Sequence, residues 1–302
     1  MSENSVIDND FYLLRLVPTV LRARDFRLYT QGKVKGESKQ RLVDLWRNGG
    51  AAILGHTPPS QLRELKNAAS RGLYAPLPHF LEARYLKALA RIFPDRHFRL
   101  YASPPRELET LMATGNAELW RPFLDPREPL SVSKDAPPVL IPVLPGIQGW
   151  RVAKNGYGEK YALPLGFCVL AAKPDLARNL PPSDFISPVL LAVATRGIYD
   201  IIAAASGGAV KTFPRIAKAL RGGNTNWTRR GPYLKPRQPH DTESWSVTFR
   251  RFLDAGFLMP PVPFQPPILP SELSPGEEAK LANLLADDSA NPDWDNQGND
   301  RN

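Results

Sequence analysis

The apolar residues of this chain recur in two rhythms, every second position in short runs and every third or fourth in longer ones. Those rhythms separate strands from helices. Phe11–Arg24 carries the longer rhythm and predicts a helix interrupted or ended near Pro18. FRLYT and QRLVDLW read as two strands around the polar loop Gln31–Gln40, a hairpin. After His56, Pro58 and Pro59 suit the first turn of a helix. Gln61, Leu62, Leu65, Ala68 and Ala69 continue it at helical spacing, and Gly72 is placed to close it. Phe80, Leu81, Tyr85, Leu86, Leu89 and Ile92 predict a second helix. HFRLYAS follows as a short strand, and PRELETLMATG as a helix closed by Gly115.

From Trp120 to Pro182 the chain is proline-rich, with short strands predicted at Val139–Leu144 and Phe167–Ala171. SDFISPVLLAVATRGIYDIIAAA predicts a long helix with Ser183 or Asp184 near its N-terminus. FPRIAKALRGG predicts another helix, and SWSVTFRRFLDAGFLMPPVPF a helix ending near Gly256 and then a strand. LSPGEEAKLANLLA places Ser274 at the N-cap, Pro275 at N1 and Glu277 at N3, a capping-box pattern. Residues 287–302 are acidic, polar and short of apolar anchors, and are expected to be a disordered tail. No repeat of solenoid length is visible.

With 302 residues the chain has room for two domains or one large one. The apolar runs Val189–Ala194 and Ile198–Ala205 are broken by Thr195, Arg196 and Asp200, short of the roughly 20 residues of a membrane span. No membrane partner is therefore expected. The polar, acidic start does not match a signal peptide. The single cysteine, Cys168, excludes an internal disulfide framework and fits a reducing cytoplasm, the expected location. Within LGFCVLAA it reads as a buried, inert thiol.

The net charge of +9 permits contacts with anions without requiring them. In the densest basic stretch, Trp227–Arg237, the cations Arg229, Arg230, Lys235 and Arg237 alternate with Trp227 and Tyr233. Such a stretch suits holding a phosphate backbone and stacking bases. A solvated loop beside a strand is the competing and favoured reading, so nucleic acid is not the expected partner. His56, His79, His97 and His240 lie far apart without ligand spacing, and no metal site is expected. Walker, Rossmann, HExxH and GxSxG patterns are absent.

RLVDLWRNGGAAILGHTPPSQLRELKNAASRGLY, preceded by DFRLYT and followed by FLEARYLKALARIFPDRHFRLYAS, resembles the start of class III aminotransferases. These are the fold type I pyridoxal-phosphate enzymes that include glutamate-1-semialdehyde aminomutase. Asp44, Gly49, Gly50, Leu54, Gly55, His56 and Pro59 hold the family's order, with Thr57-Pro58-Pro59 a departure after the Gly-His. FRRFLDAGFLMPPVPFQPPILPSELSPGEEAKLANLL is similar to the family's C-terminal small domain. The resemblance covers roughly residues 25–105 and 183–286, and implies that Trp46, Gly49, Gly50 and His56 line a substrate pocket.

The resemblance also implies a lysine to hold the cofactor covalently, a carboxylate against its pyridine nitrogen, and a helix N-terminus with small residues for its phosphate. Ser103–Leu111 stands where the phosphate segment belongs, but offers two prolines and Arg106 instead of glycine and small residues. VLIPVLPG has Pro142 and Val143 where the family has carboxylates. Lys160, in EKYALPLG, and Lys173, after FCVLAA, are the lysine candidates, both weak. PFQPPILP carries no substrate-carboxylate arginine.

The expectation is an α/β or α+β protein in which N- and C-terminal small-domain pieces pack together around a reduced large-domain remnant. Its expected divisions are 1–105, 106–182, 183–286 and the tail 287–302. Such a protein would be shorter than a full family member and would have lost productive catalysis. It would bind no cofactor and act as a binding or structural protein, as a homodimer or with an intact paralogue. The alternatives are a divergent, active aminotransferase or aminomutase that does use pyridoxal phosphate, and a basic nucleic-acid or other polyanion binder.

Overall fold

In the computed structural model, which describes residues 12–32, 40–102, 105–128, 130, 136–141, 149–154, 160–165, 167–207, 212–222 and 225–287, Tyr12–Leu16 forms a single 3-10 turn. Beyond Pro18 the chain extends into strand β1 (Val20–Arg24), so only the first part of the helix expected over Phe11–Arg24 is helical. Pairing explains the change. Asp25 at φ 50° and Phe26 make a two-residue turn that folds β1 antiparallel onto β2 (Arg27–Thr30). Strand β3 (Gln40–Asp44) pairs antiparallel with β2, the predicted hairpin, whose residues 33–39 lie outside the described set.

Residues 47–210 supply helix α1 (Pro59–Ala69), helix α2 (Phe80–Leu89), strand β4 (His97–Tyr101), helix α3 (Arg106–Ala113) and strand β5 (Glu118–Leu119). Strands β6 (Val139–Ile141), β7 (Gly149–Lys154), β8 (Lys160–Leu165) and β9 (Cys168–Ala172) follow, then helices α4 (Pro174–Arg178) and α5 (Pro188–Gly207). The C-terminal part forms helix α6 (Pro214–Ala219), strands β10 (Trp227–Arg230) and β11 (Tyr233–Pro236), helix α7 (Thr242–Asp254), strand β12 (Phe257–Leu258) and helix α8 (Pro275–Ala286). The predicted tail lies, from residue 288, outside the described residues.

Two compact units result, one of residues 1–46 with 211–302 and the other of residues 47–210. The first unit joins the two chain ends. Its sheet order is β1-β2-β3-β12, with β12 parallel to β3 through Phe257↔Val43 and Leu258↔Asp44. Gly256, at φ 91°, makes the left-handed exit from α7 that feeds β12. The core beneath contains Leu42, Val43, Trp227, Trp245, Phe249, Phe252 and Leu281, all buried. Trp227 and Trp245 lie 6.3 Å apart between ring centroids, and the Trp245 indole N–H donates to the Pro260 carbonyl at 3.0 Å.

α8 starts with the predicted capping box. The Glu277 amide donates to Ser274 Oγ at 3.2 Å, and the Ser274 amide donates to Glu277 Oε2 at 2.8 Å. The same carboxylate receives a bidentate pair from Arg27, at 3.0 and 2.7 Å, and a contact from Arg41 at 3.1 Å. One side chain therefore ties the β2–β3 hairpin to a helix 250 residues away in the chain.

The second unit has the sheet order β4-β9-β6-β5 and a separate β7–β8 hairpin. α5 packs on α1 and α2. By length and composition α5 is long and apolar enough to cross a membrane, which corrects the expectation that no segment approaches a span. However, 56% of its apolar window is buried inside the fold. Its polar residues are satisfied within the unit: Thr195 donates to the Leu191 carbonyl, Arg196 pairs with Asp200, and Ser60 of α1 donates to Asp200. Gly197 lets α1 approach closely, because a Cβ there would lie 3.2 Å from Gln61 Nε2. α1 ends as predicted: Gly72 at φ 71° lets its own amide reach the Ala69 carbonyl and the Leu73 amide reach Ala68.

Candidate functional site

In the second unit, β4 and β6 each run antiparallel to β9, and β5 runs parallel to β6. The C-terminal ends of β4, β5 and β6 therefore share one sheet edge with the start of β9. In α/β sheets, ligands bind beyond the carboxyl ends of parallel strands. That edge carries Tyr101 and Ala102 after β4, Trp120 to Arg127 after β5, and Phe167 and Cys168 at the start of β9.

The outer side of β4 is closed by a loop, not by another strand. The Leu100 amide donates to Ser183 Oγ at 3.1 Å, the Asp184 amide to the Leu100 carbonyl at 2.8 Å, and the Ala102 amide to Asp184 Oδ2 at 2.9 Å. Ser183 and Asp184 thus cover a strand edge, and α5 begins at Pro188 with proline in its first turn. Their expected place at the helix N-terminus is corrected by this pairing. Tyr101 donates to the Pro181 carbonyl at 2.9 Å, and burial pushes its hydroxyl up to about 12. Past β5, Asp125 is clamped by its neighbour: the Arg127 amide, Nε and Nη2 all donate to it at 2.9–3.0 Å. Those side-chain and backbone bonds hold its carboxyl below the ordinary range.

Cys168 is fully buried, as expected. Burial first, and the Asp184 charge second, push its thiol up to about 12, leaving it protonated and unreactive at neutral pH. Tyr85, also fully buried, lies 5.9 Å from Phe167 between ring centroids, and burial raises its pKa.

The two lysine candidates fall at different places. Lys173 follows β9, which runs away from this edge, so it lies at the opposite end of the sheet beside the start of β4. Five strand residues separate the two edges, about 16 Å. Lys160 begins β8 on the hairpin inserted between β6 and β9, the connection that leaves and re-enters this edge. Of the expected phosphate segment Ser103–Leu111, residues 103 and 104 lie outside the described set, and Arg106 onward is α3. Pro142 and Val143 also lie outside it.

The opening motif is divided between the units. Trp46 ends the first, where its indole N–H donates to Gln265 Oε1 at 2.9 Å and its amide to Asp44 Oδ1 at 2.8 Å. Gly49, Gly50 and the half-buried His56 belong to the second. Arg47, Asn48, Gly49 and Gly50 have consecutive φ values of 52°, 48°, 65° and 100°. This is a left-handed turn that costs a non-glycine residue about 1–2 kcal/mol. The buried Arg47 guanidinium braces it by donating to the Ile53 carbonyl at 3.0 Å.

Trp227–Arg237 is the β10–β11 hairpin, with the pairs Arg229↔Leu234 and Arg230↔Tyr233. Trp227 and Tyr233 are buried, so neither presents a ring for base stacking. Arg229 lies over the Phe213 ring at 5.5 Å and donates to the Gly231 carbonyl, whereas Arg230, Lys235 and Arg237 are exposed. No cluster of three or more His, Cys, Asp or Glu side chains suited to a metal ion occurs among the described residues.

No family model matches the chain. A protein from Treponema pallidum, described as uncharacterized, is 28% identical over 294 residues, spanning 86% of this chain and 91% of that protein. Among solved structures, an omega-transaminase from Sphaerobacter thermophilus is similar with a TM-score of 0.59 at 10% identity, over 90% of each chain. A β-phenylalanine aminotransferase from Variovorax paradoxus is similar with a TM-score of 0.59 at 12% identity, over 94% of this chain and 93% of that one. A glutamate-1-semialdehyde aminomutase from Pseudomonas aeruginosa gives 0.55 at 12%, over 89% and 86%. The fold is that of the aminotransferases, a mixed α/β arrangement.

Proposed function

We propose that this chain is an aminotransferase-like protein that does not carry out pyridoxal-phosphate catalysis and acts as a binding or structural protein, as a dimer or with an intact paralogue. The observation that carries the proposal is the Asp184 carboxylate seated on the Ala102 amide at the end of β4. An anionic group there repels a phosphate and consumes a backbone donor the phosphate would use. Asp125, the carboxylate that follows β5, is already neutralised by Arg127. Pyridoxal phosphate therefore does not fit the described groups at this edge.

The second reading, a divergent active enzyme, is favoured by one observation: the hairpin bearing Lys160 lies in sequence between β6 and β9, which meet at this edge through Ile141↔Val169. The purified protein, incubated with pyridoxal phosphate, separates the two. The proposal expects no absorbance in the roughly 400–430 nm range where a cofactor bound to a lysine amine absorbs. A band there, lost on borohydride treatment with Lys160 modified in the peptide map, overturns it. Modification of Lys173 instead would place the cofactor at the other sheet edge and overturn it equally.

A further inference from the structure

Residues 201–240 contain eight Lys or Arg and no Asp or Glu, so they supply eight of the chain's nine net positive charges and the other 262 residues supply one. From residue 212 on, the described part of this run folds within the first unit as α6 and the β10–β11 hairpin. Strand alternation sorts its side chains. Trp227 and Arg229 face the core side, while Thr228 and Lys235, directly opposite each other, are exposed. Arg237 continues the ladder, its amide donating to the Asn226 carbonyl.

Arg237 Nη2 also reaches the Leu220 carbonyl, at the end of α6, where Arg221 and Lys218 stand exposed. That bond links the end of α6, beside Lys218 and Arg221, to the end of β11, beside Lys235 and Arg237. Among the described residues these four make no ion pair; the bonds of Arg221 and Arg237 run to backbone carbonyls. Two acids of neighbouring elements are engaged elsewhere: Glu278 takes the Arg215 amide, and Asp241 caps α7.

We infer that this face binds the phosphodiester backbone of duplex nucleic acid, read through its charge and not its bases. Guanidiniums on a firm backbone suit phosphate oxygens. Buried aromatics remove the stacking by which single strands are held. Residues 212–240 also contribute none of the large exposed apolar side chains of the protein. A protein partner needs such anchors at the centre of its interface, whereas a nucleic-acid interface is polar and positively charged.

The test is fluorescence anisotropy with a labelled duplex DNA of arbitrary sequence, titrated with salt between about 50 and 200 mM. Three or four neutralised phosphates predict a slope of log affinity on log salt of about −3. The triple variant Lys218→Gln, Lys235→Gln, Arg237→Gln flattens that slope by about 2.7 and lowers affinity at least about tenfold at the lowest salt. Arg63→Gln, Lys66→Gln, Arg71→Gln, on α1 and in the turn after it, removes the same charge from other exposed positions and leaves binding within about twofold of wild type. Circular dichroism verifies that both variants are folded. Absence of binding at low salt, or equal loss in the two triples, overturns the inference. So does binding to phosphatidylserine vesicles without binding to DNA, which would assign the face to a membrane surface.

Discussion

Glu277→Gln isolates the ion pair that joins the two ends of the chain. Glutamine at N3 can keep the capping box with Ser274, so the change removes charge more than geometry. In the native protein burial alone pushes the Glu277 pKa up, but the bidentate Arg27 bond, the Ser274 amide and the Arg27 charge outweigh it and hold the group down at about 2. Against an ordinary value of 4.5, that difference corresponds to at most about 3 kcal/mol. Solvent screening reduces it: Arg41 is 53% exposed, although Arg27 and Glu277 are only 17% and 12% exposed. A cost of about 1–2 kcal/mol at pH 7 remains. Because the folded pKa is depressed, this stability is fully present above about pH 4.5 and is lost as pH falls through about 2. Urea unfolding at several pH values, followed by tryptophan fluorescence, should show the wild-type advantage over Glu277→Gln shrinking across that window. A variant that costs less than about 0.5 kcal/mol at pH 7, or whose curve stays parallel to wild type down to pH 2, would refute the reasoning.

Two further outcomes follow from burial. Cys168 should resist a thiol reagent in the native protein at pH 8 and react fully in urea; rapid native labelling would contradict its buried, strongly raised thiol. Gly197→Leu should destabilise the second unit by about 1–3 kcal/mol, because the added carbons must displace Gln61 between α5 and α1. An unchanged thermal midpoint would mean that the two helices are not held at that distance.

What was legible in the sequence was local. The capping box at Ser274 and Glu277, the glycine exits at Gly72 and Gly256, and the β2–β3 hairpin each depend on residues a few positions apart. Ser183 and Asp184 look like helix caps because their side chains suit that role. They cover β4 instead, a partner 82 or 83 residues earlier that no local pattern reveals. Val20–Arg24 continues a helical rhythm, yet pairing with β2 overrides it. The alternation of Trp227 and Tyr233 with cations was visible, but which face turns inward depends on the core built by α7. At the candidate edge, the clamp on Asp125 was invisible because its charge partner is also a plain surface-type arginine two residues away.

The first unit has a consequence for synthesis, since its two halves are made far apart in time. β3 ends at Asp44 and its parallel neighbour is completed at Leu258, 214 residues later. At about 5–20 residues per second, β3 waits roughly 10–40 s on the ribosome with that edge unpaired. Throughout that interval Arg27 also lacks its carboxylate, since Glu277 is made later still. The nascent β1–β3 sheet therefore spends the whole of that interval as an open template for strand addition.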